Sequence, residues 1–130
     1  MGDAGIAKKK ILIIDDEKDW VTMLSIRLKS EGYDVDVAFD AVSGMMQIRQ
    51  ANPALVLLDI MLPAGGGVSV LKNIRNNTKT FSLPVIVVSA RLDDAIKEET
   101  KKLGITDYFV KSNDTAELMT GIKKLLEPKN

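Results

Sequence analysis

The sequence predicts an α/β protein built on one doubly wound parallel sheet of five strands, with five helices covering its two faces. Strand-like and helix-like segments alternate five times along the 130 residues, which is the pattern of successive βα units. Four of the strand-like segments are rich in Val, Ile and Leu without polar alternation, as is typical of strands buried on both faces. The length suits a single domain with one substantial core.

The predicted strands are short apolar runs bounded by polar or turn-forming residues. They cover residues 11–15, 33–39, 55–59, 85–89 and 107–110. The second run alternates apolar and polar side chains, so we expect that strand to lie at an exposed edge of the sheet.

The first three predicted helices follow these strands in order. Residues 20–30 place Val21, Leu24 and Leu28 on one face, and Gly32 follows as a C-terminal cap. Asp40 is the expected N-cap of the second helix, which runs to about residue 50. The third helix is predicted over residues 68–76.

The last two helices differ in the strength of their apolar faces. Residues 93–103 have acids first and bases last, which suits the helix dipole, but the thin apolar face predicts weak packing against the sheet. The final helix has a clear core-facing stripe, and Asn113 or Asp114 can cap its start. The stripe consists of Leu118, Met119, Ile122, Leu125 and Leu126.

The order of the elements favours a flavodoxin-like sheet with strand order 2-1-3-4-5, which binds ligands at the carboxyl ends of strands one and three. Strand one ends in Asp15 and Asp16, strand three in Asp59, and strand five is followed by Lys111. The sequence therefore predicts three carboxylates and one ammonium group at the same edge of the sheet. Because carboxylates about 4 Å apart repel by roughly 4 kcal/mol at an effective dielectric of about 20, such a pocket favours a bound cation.

Composition excludes several kinds of function. The chain has no cysteine and no histidine, which excludes disulfides, thiol chemistry and histidine zinc ligands. Lys plus Arg and Asp plus Glu both number 18, so general attraction to nucleic acid or membrane is not expected and any partner is expected to be a protein. The apolar runs are too short for a membrane span and the start lacks a signal peptide, so we expect a cytoplasmic protein.

The motifs resemble the receiver domains of two-component response regulators over nearly the whole chain. The match consists of Asp15-Asp16-Glu17, of Asp59 with Met61-Leu62-Pro63 and Gly67, of Ser89-Ala90, and of Tyr108 before Lys111. The resemblance implies a receiver domain over residues 9–127, with short tails at residues 1–8 and 128–130. It also implies a signalling module that is not a classical enzyme.

The resemblance further implies roles for the residues at the sheet edge. Asp59 is the expected phosphoacceptor, which becomes an aspartyl phosphate after transfer from a histidine kinase or a histidine phosphotransfer protein. Mg²⁺ is the expected cofactor, held by Asp15, Asp16, Asp59 and the backbone carbonyl of Met61.

Three more residues have expected roles in transfer and switching. Lys111 is expected to neutralise charge on the phosphoryl oxygens, and the Ser89 hydroxyl to donate to one of them. Ser89 and Tyr108 are the expected switch residues. They are expected to alter a surface on helix four, strand five and helix five, where a downstream protein binds.

Two segments depart from the family pattern. Ser112 follows Lys111 where most receivers have a proline after a cis bond, so a trans bond here is an open possibility and the reach of Lys111 is in question. Gly65 and Gly66 are also not typical of the family, and we expect them to make the loop before the third helix unusually mobile.

Several alternatives stay open at this point. The receiver could stand alone or belong to a larger regulator or hybrid kinase. It could also be an interaction module that no longer depends on phosphorylation. A haloacid-type phosphatase is disfavoured because Met61 stands where a second Asp is needed, and a flavin site is disfavoured because acids occupy the loop after strand one. Trp20 is either structural or a potential fluorescent reporter of binding.

Overall fold

The protein folds as a five-stranded parallel sheet with helices on both faces, which confirms the predicted fold class. The structure, a computed structural model, describes residues 8–91 and 93–127. Within these ranges the strands are β1 (Lys10–Ile14), β2 (Asp34–Ala38), β3 (Leu55–Leu58), β4 (Val85–Ser89) and β5 (Asp107–Val110). Their order in the sheet is β2-β1-β3-β4-β5, and every neighbouring pair is parallel. Apart from Lys8, both predicted tails lie outside the described residues.

The helices alternate with the strands along the chain. They are α1 (Lys18–Ser30), α2 (Ala41–Ala51), α3 (Gly66–Arg75), α4 (Asp94–Lys102) and α5 (Ala116–Leu126). A short 3₁₀ turn, Pro63–Gly65, directly precedes α3. No helix within residues 8–91 and 93–127 combines the length and the apolar character that crossing a bilayer requires.

The sheet divides the core into two clusters. Ile11 and Ile13 of β1 pack with α1 and α5 on one face, whereas Leu12 and Ile14 pack with α2 and α3 on the other. Successive side chains of a strand point to opposite faces, so an apolar residue is needed at each of these four buried positions. This is why the central strands are continuous apolar runs.

The predicted N-cap of α2 is confirmed, because the Asp40 carboxylate accepts from the backbone N–H of Ser43 at 2.7 Å. Asp93 was predicted as the first residue of α4 but is its N-cap, and it accepts from the N–H of Ala95 at 2.9 Å. The predicted N-cap of α5, Asn113 or Asp114, was wrong, because Thr115 is the N-cap residue. Asp114 still accepts from the N–H of Ala116 at 2.9 Å, so it satisfies one free donor of that helix.

The predicted exposure of β2 and the predicted weak packing of α4 are both seen in the structure. β2 lies at one edge of the sheet, as its alternating sequence predicts. α4 buries only Thr100 fully and keeps Ile96 partly buried against the core, which agrees with its thin apolar face.

Backbone hydrogen bonds fix the residues that follow three strands at the carboxyl edge of the sheet. The N–H of Asp15 donates to the carbonyl of Ala38 at 3.0 Å, and the N–H of Asp59 donates to that of Ile14 at 2.9 Å. The N–H of Lys111 donates to the carbonyl of Ser89 at 2.8 Å. The backbone of each of these residues is therefore still held by the sheet although the strand itself has ended.

Candidate functional site

The side chains of Asp15, Asp59 and Lys111 meet in one pocket at this edge. The Lys111 ammonium lies 2.8 Å from Asp15 Oδ2 and 3.5 Å from Asp59 Oδ2. Asp15 is 2% and Asp59 5% exposed, so both acids are largely withdrawn from water. Burying acids at this level is costly without a cation, and Lys111 partly offsets that cost.

Asp16 adds a third carboxylate at the open side of the pocket. Asp15, Asp16 and Asp59 each offer an oxygen, and these oxygens lie within 4.8 Å of one another. Asp16 is exposed, whereas the other two are buried. Three hard oxygen donors at this spacing fit a divalent cation such as Mg²⁺, which combines a few carboxylates with water and phosphate oxygens.

Backbone N–H groups orient the two buried carboxylates. Asp15 Oδ1 accepts from the N–H of Glu17, and Asp59 Oδ1 accepts from the N–H of Met61, each at 2.9 Å. These local turns leave the Oδ2 atom of each acid facing Lys111. The Met61 carbonyl was predicted to bind metal, and that role stays a prediction.

The pocket shifts the pKa values of its charged groups. Burial raises the pKa of Asp15 above its ordinary value, and the hydrogen bond from Lys111 opposes that shift. Burial lowers the pKa of Lys111, but its hydrogen bonds to Asp15 and Glu17 and the negative charges of Asp15 and Asp59 together outweigh burial, so the pKa is raised. Lys111 is therefore a stable cation at neutral pH.

Ser89 and Tyr108, the predicted switch residues, lie on the neighbouring strands β4 and β5. Ser89 is fully buried, and its hydroxyl makes no hydrogen bond to any residue that the structure describes. The Tyr108 hydroxyl donates to the carbonyl of Arg91 at 3.3 Å. Burial raises the pKa of Tyr108. The nearby Ser89 hydroxyl opposes this shift but has a smaller effect, so the pKa is raised overall.

Lys111 reaches the pocket although the bond to Ser112 is trans. The question that Ser112 raised about its reach is thereby answered for this structure. The two glycines expected to be mobile lie in defined elements, because Gly65 ends the 3₁₀ turn at φ +70° and Gly66 begins α3. The mobility of this segment stays a prediction.

Two contacts of Lys111 were not predicted from the sequence. Glu17 Oε1 lies 3.0 Å from the ammonium, and the ammonium lies 5.8 Å from the centre of the Trp20 ring. Glu17 was noted only as part of the acidic motif. Its place directly after the two aspartates was the available signal, but its partner is 94 residues away.

A family model for the response regulator receiver domain matches residues 11–123. The chain belongs to the response regulator receiver family. Both the resemblance and the fold class are thereby confirmed, and this receiver has an acidic pocket at the carboxyl edge of its sheet.

Solved structures agree with this assignment. The receiver is 31% identical to the response regulator TrrA of Thermotoga maritima, solved in complex with Mg²⁺ and BeF, with a TM-score of 0.80 over 91% of this chain and 99% of that one. A CheY-like receiver domain protein of Methanospirillum hungatei is 26% identical, with a TM-score of 0.83 and coverage of 91% and 93%. Vibrio cholerae CheY4, at 24% identity, has a TM-score of 0.85 with coverage of 92% and 100%, which shows the shared fold.

Proposed function

We propose that this receiver is a phosphorylation-controlled signalling module in which Asp59 accepts a phosphoryl group from a histidine of a partner protein. The observation that carries the proposal is the placement of Asp59, which is oriented by one backbone N–H and lies 3.5 Å from the Lys111 ammonium. Two further carboxylates lie beside it. The partner is a histidine kinase or a histidine phosphotransfer protein.

In the proposed transfer, an oxygen of Asp59 forms the new bond to phosphorus as the bond between phosphorus and the imidazole nitrogen breaks. The leaving imidazole keeps the electron pair of that bond and takes a proton from water. Negative charge builds on the phosphoryl oxygens, and Lys111 is close enough to offset it. The product is an aspartyl phosphate, so the receiver is a phosphoacceptor that assists its own modification.

Asp15, Asp16, Asp59 and the Met61 carbonyl would hold Mg²⁺ in this proposal. The support is the three carboxylate oxygens within 4.8 Å, which match the preference of Mg²⁺ for hard oxygen ligands. Mg²⁺ bound there would supply positive charge beside the phosphoryl group.

Ser89 and Tyr108 would convert the modification into a change of shape. The buried Ser89 hydroxyl has an unused donor among the described residues, and a phosphoryl oxygen on Asp59 would accept from it. Tyr108 is partly buried against the core, and its hydroxyl makes one hydrogen bond to a described residue, at 3.3 Å to the Arg91 carbonyl, so we expect its side chain to move when Ser89 moves. The surface of α4, β5 and α5 would then change its contacts with a downstream protein in the cytoplasm.

The alternative is a receiver that signals through protein contacts without phosphorylation. Intact-protein mass spectrometry after incubation with acetyl phosphate and Mg²⁺ separates the two functions. The proposal predicts the gain of one phosphoryl group that requires Mg²⁺ and is lost in Asp59→Asn. Asp34→Asn, an exposed acid of β2, is the matched control and should label normally.

Normal labelling of Asp59→Asn would remove Asp59 from the proposed role. Absence of labelling in the wild type, with acetyl phosphate and with a panel of histidine kinases, would favour the interaction module. In either case circular dichroism of each variant establishes that the fold is intact.

A further inference from the structure

We infer that Glu17 is a positioning residue that retains Lys111 beside Asp59 while the three aspartates hold a divalent cation. The inference deepens the proposed function and rests on its metal site. It assigns a role to a side chain that belongs neither to the phosphoacceptor nor to the three-carboxylate cluster.

The contacts of Lys111 divide into two sets. Asp15 and Asp59, at 2.8 and 3.5 Å, are also members of the carboxylate cluster that fits a cation. Glu17, at 3.0 Å, lies outside that cluster. Its side chain is 59% exposed, and it nevertheless contacts the ammonium, whose own side chain is 10% exposed.

A divalent cation and Lys111 compete for the same two aspartates. A cation bound at the cluster neutralises Asp15 and Asp59 and also repels the ammonium, because both carry positive charge. The cation therefore weakens the attraction of Asp15 and Asp59 for Lys111 without removing it, because three carboxylates and one divalent cation still carry one net negative charge. Glu17 is the carboxylate outside the cluster that contacts the ammonium, so it helps Lys111 and the cation to occupy the site together.

The first turn of α1 supplies a second contact for the Lys111 ammonium, the ring of Trp20. Trp20 is buried, and the ammonium lies 5.8 Å from the centre of its ring, within the range of a cation–π contact. Glu17 and Trp20 therefore contact Lys111 from the same turn. Because Trp20 is the one tryptophan in the chain, its emission can report a movement of Lys111.

A simpler role for Glu17 would be to add one negative charge near the pocket. Asp19 tests that role, because it is an exposed acid of the same turn and makes no described contact with Lys111. A general charge effect would weaken Mg²⁺ binding to a similar extent in Glu17→Gln and in Asp19→Asn. A positioning effect would weaken Mg²⁺ binding only in Glu17→Gln, and only when Lys111 is present.

The experiment measures the Mg²⁺ dissociation constant without any phosphodonor, by Trp20 fluorescence and by calorimetry. The proteins are the wild type, Glu17→Gln, Lys111→Met, the double variant and Asp19→Asn. We expect Glu17→Gln to weaken Mg²⁺ binding about threefold to fivefold when Lys111 is present. In the Lys111→Met background the same change should cost less than about twofold, and Asp19→Asn should cost less than about twofold in the wild type.

Equal losses from Glu17→Gln with and without Lys111 would overturn the inference, as would an equal loss in Asp19→Asn. No loss in Glu17→Gln would also overturn it. Mg²⁺ binding by the wild type with no coupling between Glu17 and Lys111 would reject this inference while leaving the proposed function in place. A wild type that binds no Mg²⁺ would reject both.

Discussion

At the residue scale, the pocket concentrates more negative charge than its own cation can neutralise. Three carboxylates, those of Asp15, Glu17 and Asp59, contact the ammonium of Lys111, and Asp16 adds a fourth carboxylate beside Asp15 and Asp59. Burial raises the pKa of Asp15, which shows that holding this acid ionised is unfavourable in the folded protein. The arrangement therefore lowers stability until a cation arrives.

The first prediction concerns that charge excess. Mg²⁺ should raise the melting temperature by several degrees more than NaCl at equal ionic strength, because a ligand that binds only the folded state stabilises it. Differential scanning calorimetry is the measurement. Asp16→Asn should lose most of the difference, and identical melting curves of the wild type in the two salts would contradict a specific cation site.

At the element scale, the approach of α3 to the end of β3 determines where Asp59 lies. A Cβ atom on Gly67 would lie 2.5 Å from the Cα of Ile60 and 2.6 Å from the carbonyl oxygen of Asp59. Both are backbone atoms, so rotation of a side chain cannot relieve the clash. Gly67 is therefore required by the close packing of α3 against the backbone of Ile60 and of Asp59, the proposed phosphoacceptor.

The second prediction compares two glycines of this segment. Gly67→Ala should lower the free energy of unfolding by about 3 kcal/mol or more and displace Asp59. Gly65→Ala should cost only about 1 kcal/mol, because Gly65 has φ +70° but open space around its Cβ position. Urea unfolding measures both changes, and equal costs would contradict the packing argument.

The same segment shows what sequence patterns could and could not predict. Apolar runs predicted the five strands, their alternation with helices favoured the observed strand order, and Asp40 was predicted as the cap of α2. The start of α3 was predicted at Val68, two residues late, because glycine is a poor helix former and only the packing of Gly67 explains a helical start at Gly66. The contact between Glu17 and Lys111 depends on side chains 94 residues apart, which local patterns do not connect.

At the scale of the whole molecule, a second polar cluster joins distant parts of the chain at the carboxyl end of α5. The Tyr33 hydroxyl donates to Glu127 at 2.7 Å, and Lys123 of α5 lies 2.6 Å from Glu31 after the end of α1. Tyr33 is itself buried in the core cluster between these elements. The cluster therefore ties the region between α1 and β2 to the last described helix.

The third prediction uses the pH dependence of that cluster. Burial first, and then the hydrogen bond to Glu127, raise the pKa of Tyr33 above its ordinary value of 10.0. A raised pKa means that the stabilisation is fully present below pH 10.0 and is lost as the pH rises above it. Tyr33→Phe should cost about 1 kcal/mol at pH 7, and the difference from the wild type should shrink above about pH 10.

Chemical unfolding of the wild type and Tyr33→Phe at a series of pH values measures this difference. Tyr108 is present in both proteins, so its titration largely cancels in the comparison. A difference that stays constant from pH 7 to beyond about pH 11 would show that the Tyr33 hydroxyl does not contribute as the structure indicates.

The backbone hydrogen bond between Lys111 and Ser89 couples the ends of two strands. These two residues are proposed to contact the phosphoryl group, and the N–H of Lys111 donates to the carbonyl oxygen of Ser89 at 2.8 Å. A displacement of either residue would therefore also move the end of the other strand. The ends of β4 and β5 would then shift together on modification, and Tyr108 lies in β5, three residues before Lys111.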